Sequence, residues 1–271
     1  MLAPESWGNF LSYLTAWLTT LAWQTLAVSV AYIIATLLQG IVVLANSNYV
    51  PLQWHTVLIT WAASLFAVMM NSTTGKILAK FEGLILILHV AGFFGVLIPM
   101  VYFSPHNQPS VVFTSFLNEG GWATQGLSFF VGFPGIAGSL LGADCAVHMA
   151  EEIQSAALVV PRALLSTIII NGTLAFAMTI GLMFCLTDIT AAFAAADTMF
   201  YPFLQIFQAA VKSTAGACAM AGIILAMAIA SSVGVYASAS RMLWSFSRDH
   251  GLPMSNYLVK VTIHPIFDMP I

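Results

Sequence analysis

GFPGIAGSLLGADCAVHMAEE, residues 132–152, closes a strongly apolar run, yet it carries Gly132, Pro134, Gly135, Gly138 and Gly142 and then Asp144, His148, Glu151 and Glu152. Pro134 removes one helical hydrogen bond. Each glycine lowers helix stability by about 1 kcal/mol relative to alanine. Inside lipid every backbone N–H and C=O needs an internal partner, so a weakened helix persists only where protein or a wet cavity surrounds it. For Gly132, Gly135 and Gly138 two readings fit: local unwinding, or close helix packing through small residues. Gly142 stands apart because it lies two positions before Asp144, a carboxylate that costs on the order of 3 kcal/mol at mid-membrane on insertion scales.

An unwound turn through Ser139, Leu141 and Gly142 exposes carbonyls on one half-helix and N–H groups on the other. Discontinuous helices use such groups to hold small polar solutes and ions. Asp144 then begins the inner half, either as a plain N-cap or as a carboxylate that takes part in solute movement.

The surrounding chain fixes the setting. Of 271 residues, 60% are hydrophobic and 6% charged, against about a quarter charged in soluble domains. The chain is therefore read as a membrane protein. A net charge of -3 without a basic, aromatic-interleaved patch excludes a nucleic-acid groove. Cys145, Cys185 and Cys218 are scattered in apolar stretches and form neither a CxxC pair nor an even-numbered framework. The start, MLAPESWGNF, lacks a basic n-region and cleavage site, so the apolar segment behind it is expected to stay in the product.

A crossing needs roughly 20 mostly apolar residues. Spans are expected at 10–44, 54–70, 83–103, 122–150, 163–186 and 214–246, in a single domain over 1–271. The segment 187–212 is expected as an extracellular helical cap. The fold class is all-α, a polytopic membrane helix bundle with one broken helix. Orientation follows from the preference of Lys and Arg for the cytoplasmic side. With the N-terminus inside, Lys76, Lys80, Arg162, Arg241, Arg248 and Lys260 all fall inside and Lys212 alone outside, which puts both termini in the cytoplasm. Asn71 of NST then lies in a cytoplasmic loop and Asn171 of NGT within a span, so both sequons are chance matches.

GADCAVHMAEEIQSAALVVPRAL, 142–164, followed by ASASRMLWSFSRDHGLP, 237–253, resembles the amino acid, polyamine and organocation permease superfamily, and more closely its fungal choline and GABA permease branch. The resemblance implies a partial transporter fold of the five-plus-five inverted-repeat type, with spans one to six corresponding to family helices three to eight. It implies a fragment, because family helices one, two and nine onward have no counterpart. It further implies a secondary active permease for amino acids, GABA, choline or polyamines, coupled to protons, in the plasma membrane or an organellar one. The alternative is a truncated, transport-inactive membrane protein or scaffold.

Candidate substrate contacts are Ser139, Leu141, Gly142 and Asp144 at the break. In the Trp-rich stretch AWLTTLAWQ, which the resemblance places on a pocket helix, Thr20 and Gln24 are candidates, and interhelical bonding is their other reading. Tyr236 matches a pocket-facing aromatic position of the family, suited to a quaternary ammonium; packing alone is its other reading. His148, Glu151 and Glu152 share a helix face. With Arg162 or Arg241 they are expected to form a cytoplasmic gate network, the alternative being a solvated acidic loop. No further histidine has ligand spacing to them, so neither a metal nor another cofactor is expected. Enzymes are set aside because GxSxG, HExxH and paired intramembrane aspartates are missing. Channels are set aside because one asymmetric broken helix is neither a repeated filter nor a ring of like charges.

Overall fold

The computed structural model describes residues 5–72, 75–148, 150 and 153–260. Their regular structure is helical: α1 Gly8–Ala45, α2 Gln53–Asn71, α3 Gly75–Phe103, α4 Pro109–Thr114, α5 Gln125–Ala137, α6 Cys145–His148, α7 Ala156–Cys185, α8 Ile189–Met199, α9 Pro202–Val211, α10 Thr214–Arg248 and α11 Ser255–Leu258. Among the described residues, five helices are long and apolar enough to cross a membrane: Gly8–Ala45, Gln53–Asn71, Lys80–Phe103, Ala156–Cys185 and Thr214–Arg248. The segment expected as a broken crossing at 122–150 comprises a 13-residue α5, a short 3₁₀ turn and a four-residue α6. Its glycines and Pro134 supply the reason.

In the other long helices many hydroxyls find their partner on their own helix. Thr19, Thr20, Thr25 and Ser29 of α1 each donate a 2.8 Å hydrogen bond to the carbonyl four residues earlier, which hides the hydroxyl from lipid. α1 has 38 residues, about 57 Å at 1.5 Å per residue.

The chain divides into two compact units. The first holds residues 1–38, 51–88 and 225–271. Its buried face on α1 is Trp23, Ala27, Ala31 and Ile34, a stripe at helical spacing, and on α10 it is Ala230, Val233, Ala237 and Ala239. Small residues in such stripes let helices approach where lipid supplies no hydrophobic drive between them. Tyr13 and Trp17 stack on Phe246 with ring centroids 5.8 and 5.7 Å apart, and the Tyr13 hydroxyl donates to the Gly251 carbonyl at 3.3 Å. α2 offers a narrow sealed stripe through the fully buried Ala67, while Trp61, Leu65 and Met69 are 63%, 63% and 69% exposed. Apolar side chains that bare suit lipid, not water.

The second unit holds 39–50 and 89–224. Gly40 passes so near the Met199 carbonyl and Leu204 that a Cβ has no room. Gly181 of α7 likewise lies against Leu97 and Met100 of α3; an added Cβ would stand 2.6 Å from Leu97 Cδ1. Asn107 closes the end of α7, its side-chain amide donating to the carbonyls of Leu186 at 2.6 Å and Met183 at 3.1 Å, and its backbone N–H to Phe184 at 2.8 Å. These groups would otherwise be orphaned at the helix terminus. Within the segment expected as a cap, Asp188 starts α8 by accepting the Ala191 N–H at 2.9 Å. Pro202 opens α9, where its missing N–H has no consequence. α9 buries Leu204, Ile206, Phe207 and Ala210 on one face, and it packs against α8 and α7.

Candidate functional site

α5 stops at Ala137. From there the backbone tightens: Leu141 N–H donates to the Gly138 carbonyl at 3.2 Å and Cys145 N–H to the Gly142 carbonyl at 3.0 Å. These three-residue closures replace the four-residue ladder of an α-helix. Between them Gly142 takes φ +89°, a conformation in which any side chain is strained. The break therefore has a named pivot, and it occupies the position that the glycine pattern marks.

The remaining glycines bear on the choice left open above. At Gly132, Gly135 and Gly138 an added Cβ would meet nothing within 4 Å, so close helix packing is not their role among the described residues. Gly132 and Gly135 weaken α5 and Gly138 begins the 3₁₀ turn after it, none of them seating a neighbour among the described residues. Leu141, at the turn, is 70% exposed. The backbone turn at Ser139 is described; its side chain is not.

Asp144 stands where α6 starts, its carbonyl accepting Val147 N–H at 2.9 Å and His148 N–H at 3.4 Å. Its carboxylate lies 3.4 Å from His148 Nε2, with 59% of the Asp144 side chain and 16% of the His148 side chain exposed. The acid thus heads α6 with an imidazole one turn further on. Glu151 and Glu152 lie outside the described residues. Arg162 is exposed in the first turns of α7 and belongs to the same unit as His148, whereas Arg241 is half-buried on α10 in the other unit.

The three candidates of the first unit are all committed to neighbours. Thr20 is 2% exposed and its hydroxyl bonds the Ala16 carbonyl of its own helix. Gln24 Nε2 donates to the Ala239 carbonyl of α10 at 2.9 Å, the interhelical bond named as its other reading. Tyr236 donates its phenol to Ser64 Oγ of α2 at 2.6 Å.

Ser64 did not stand out in the sequence, nor did Asn71, which was read as part of a loop sequon. Asn71 is the last residue of α2, and its amide donates to the Ala67 carbonyl at 2.9 Å and to the Val233 carbonyl of α10 at 2.8 Å. The available signal was spacing: Ser64, Ala67 and Asn71 recur at helical intervals in a helix otherwise lined with large apolar residues. Ser238 Oγ is buried without a hydrogen-bond partner among the described residues. A cavity of about 860 Å³ opens away from the break, between α8 and the loop before α5, and carries the carboxylates of Glu119 and Asp197 beside Phe193.

Comparison with known proteins adds ancestry to this geometry. Residues 1–267 match the amino acid permease family model. The chain is 29% identical over 265 residues to a choline transporter of Saccharomyces cerevisiae, covering 97% of this chain and 46% of that protein. It is 27% identical over 271 residues to an uncharacterized amino-acid permease of Schizosaccharomyces pombe, covering 96% and 48%. It is 25% identical over 266 residues to a swainsonine transporter of Arthroderma benhamiae, covering 98% and 52%. The chain spans about half the length of the curated relatives it matches. No solved structure matches it significantly.

Proposed function

This chain belongs to the amino acid permease family, is a multi-pass integral membrane protein, and on that premise we propose that the whole protein is a secondary active transporter of amino acids or related amines such as GABA or choline, coupled to protons. The observation that carries the reading is the opened backbone at 138–144, with its positive-φ pivot at Gly142 and Asp144 at the head of the inner half-helix. Half-helix ends place N–H and C=O groups and a carboxylate within reach of a small solute. Ser139, Leu141 and Gly142 contribute main-chain contacts, and Asp144 is the gate carboxylate. His148, 3.4 Å from it, is the link to a cytoplasmic network for which Glu151, Glu152 and Arg162 are the candidates. Within the first unit, Thr20 and Gln24 support α1, and Tyr236 offers its ring to an ammonium group.

The discontinuous α5–α6 element serves as the remaining crossing between α3 and α7. The bias of basic residues then sets both termini in the cytoplasm and α8–α9 outside, in the plasma membrane. Choline and swainsonine transport by the relatives supports a substrate bearing an amine or quaternary ammonium.

The test is uptake. The complete product of the gene is expressed in yeast cells lacking their own choline and GABA uptake, and labelled choline, GABA, amino acids and a polyamine are offered at several external pH values. Saturable uptake of one class, lost on adding a protonophore, is the expected result. Surface-exposed protein that moves none of them would make the chain a scaffold, and uptake indifferent to the protonophore would remove the proton.

A further inference from the structure

α10 ends at Arg248, and the chain then folds back on the first unit. His250 takes φ +58° and the Gly251 N–H donates to the Phe246 carbonyl at 3.0 Å, which closes the helix. Gly251 is buried so near the Phe246 ring that a Cβ has no room, and its carbonyl accepts the Tyr13 hydroxyl at 3.3 Å. Further along, the buried Ser255 donates to the Leu252 carbonyl, and Trp244 Nε1 donates to the Val259 carbonyl at 3.4 Å. Residues 249–260 are thus tied down at both ends, and Val259 stands back at the level of Trp244, about one turn before α10 stops.

The outward side of this turn is apolar and cationic. Met254, Tyr257 and Leu258 are 71%, 70% and 41% exposed, a face that water suits poorly. Arg248 and Lys260 are exposed at the two ends of the segment, and each is held over a ring: the Arg248 guanidinium is 4.8 Å from the Trp244 centroid and the Lys260 ammonium 5.4 Å from that of Tyr257. Such stacking orders a long cationic side chain before any anion arrives. From Arg241 to Lys260 the single carboxylate is Asp249. Arg241 is also the first charge on α10, a helix long and apolar enough to cross a membrane, so it marks where the hydrocarbon ends. Trp244 and the Val259 carbonyl bonded to it then lie about 4–5 Å beyond that edge, within a headgroup layer about 5–8 Å deep. That is the depth at which Trp and Tyr collect.

We infer that the turn 249–260 is a docking surface for anionic phospholipid, Arg248 and Lys260 taking the phosphate-bearing head group and Met254, Tyr257 and Leu258 lying at the acyl boundary. Zwitterionic lipid offers the same chains without net charge, so the two ordered cations are what select. Anionic lipid is enriched in the cytoplasmic leaflet, the side on which the proposed orientation sets this end of α10. The surface needs the membrane placement of α10 alone, and it serves whether or not the protein moves a solute.

The experiment reads the depth of the turn in the complete protein. Met254→Cys is labelled with an environment-sensitive fluorophore and reconstituted in nanodiscs of phosphatidylcholine, with or without phosphatidylserine, and quenching by lipids brominated near the head group is measured. The same labelling of unsubstituted protein, at its free cysteines, is subtracted. Phosphatidylserine is expected to raise the ratio of docked to undocked turn at least about fivefold, and Arg248→Gln and Lys260→Gln each to lower it about fivefold, the worth of one basic residue at an anionic surface. Molar salt removes the gain, and Lys212→Gln, two residues before α10 begins, leaves it unchanged. Equal quenching in the two lipid compositions overturns the inference, as does a gain that survives Arg248→Gln and Lys260→Gln together. A label that is quenched by neither lipid and shielded from aqueous iodide means that another part of the complete protein, or a second copy, covers the turn, and the lipid assignment falls. Should Arg248→Gln fail to fold, Lys260→Gln, on an exposed residue beyond α11, is read by the same criteria.

Discussion

Alanine at position 142 tests the break at its pivot. Gly142 holds φ +89°, which an L-residue adopts only at a penalty of about 1–3 kcal/mol. The space around it is not the obstacle, since the nearest atom to an added Cβ is Cys145 Sγ at 3.9 Å. Alanine also returns about 1 kcal/mol of helix propensity to the neighbouring turns. Together the open turn loses about 2–4 kcal/mol relative to a continuous helix, a population shift on the order of 30-fold to 1,000-fold. Gly135→Ala is the matched control: it lies within α5, its added Cβ meets nothing within 4 Å, and it gains the propensity without strain. The assay is uptake Vmax alongside the thermal midpoint of the purified, detergent-solubilised protein. Gly142→Ala is expected to lower Vmax at least about tenfold, as the conducting arrangement loses population, while Gly135→Ala retains transport and a thermal midpoint at or above wild type. Equal behaviour of the two variants in both measurements would refute a strained pivot at Gly142.

Asp144→Asn removes an i,i+4 pair with His148, worth about 0.5 kcal/mol when exposed; surface abundance is expected near wild type and uptake well below it, and unchanged transport would reduce Asp144 to a helix cap. Gly251→Ala drives a methyl into the Phe246 ring, which also meets Tyr13 and Trp17; a stability loss of about 1–3 kcal/mol, read as a lower thermal midpoint, is expected. Asn107→Ala strips two side-chain bonds from the end of α7, for a loss of about 1–3 kcal/mol in the same measurement, with Asn107→Asp unable to restore it because a carboxylate cannot donate to carbonyls.

The legible part of the site is the part written in neighbouring residues. Glycines and a proline placed just ahead of Asp144 describe a local defect, and local backbone preferences suffice to locate it at 138–144. Hydropathy, which sums over a window, passes smoothly across 122–150, whereas the hydrogen-bond ladder does not. Gln24 and Tyr236 were recognisable as polar groups on apolar helices, yet their partners were not. Nothing in periodicity tells whether an amide meets a solute or the Ala239 carbonyl.

By itself, then, the sequence determined the membrane class, the helical architecture and the place where a helix breaks, which follow from composition and short-range spacing, and the family, through the resemblance of 142–164 and 237–253. Tertiary structure alone decided that Gly132, Gly135 and Gly138 seat no neighbour among the described residues, that Asn71 closes an interface, and that the Tyr236 proton is given to Ser64. Those last contacts join residues 162 and 172 positions apart. Hydrogen bonds of that reach exist only once α2 and α10 lie face to face, and the geometry of that contact depends on the packing of whole helices.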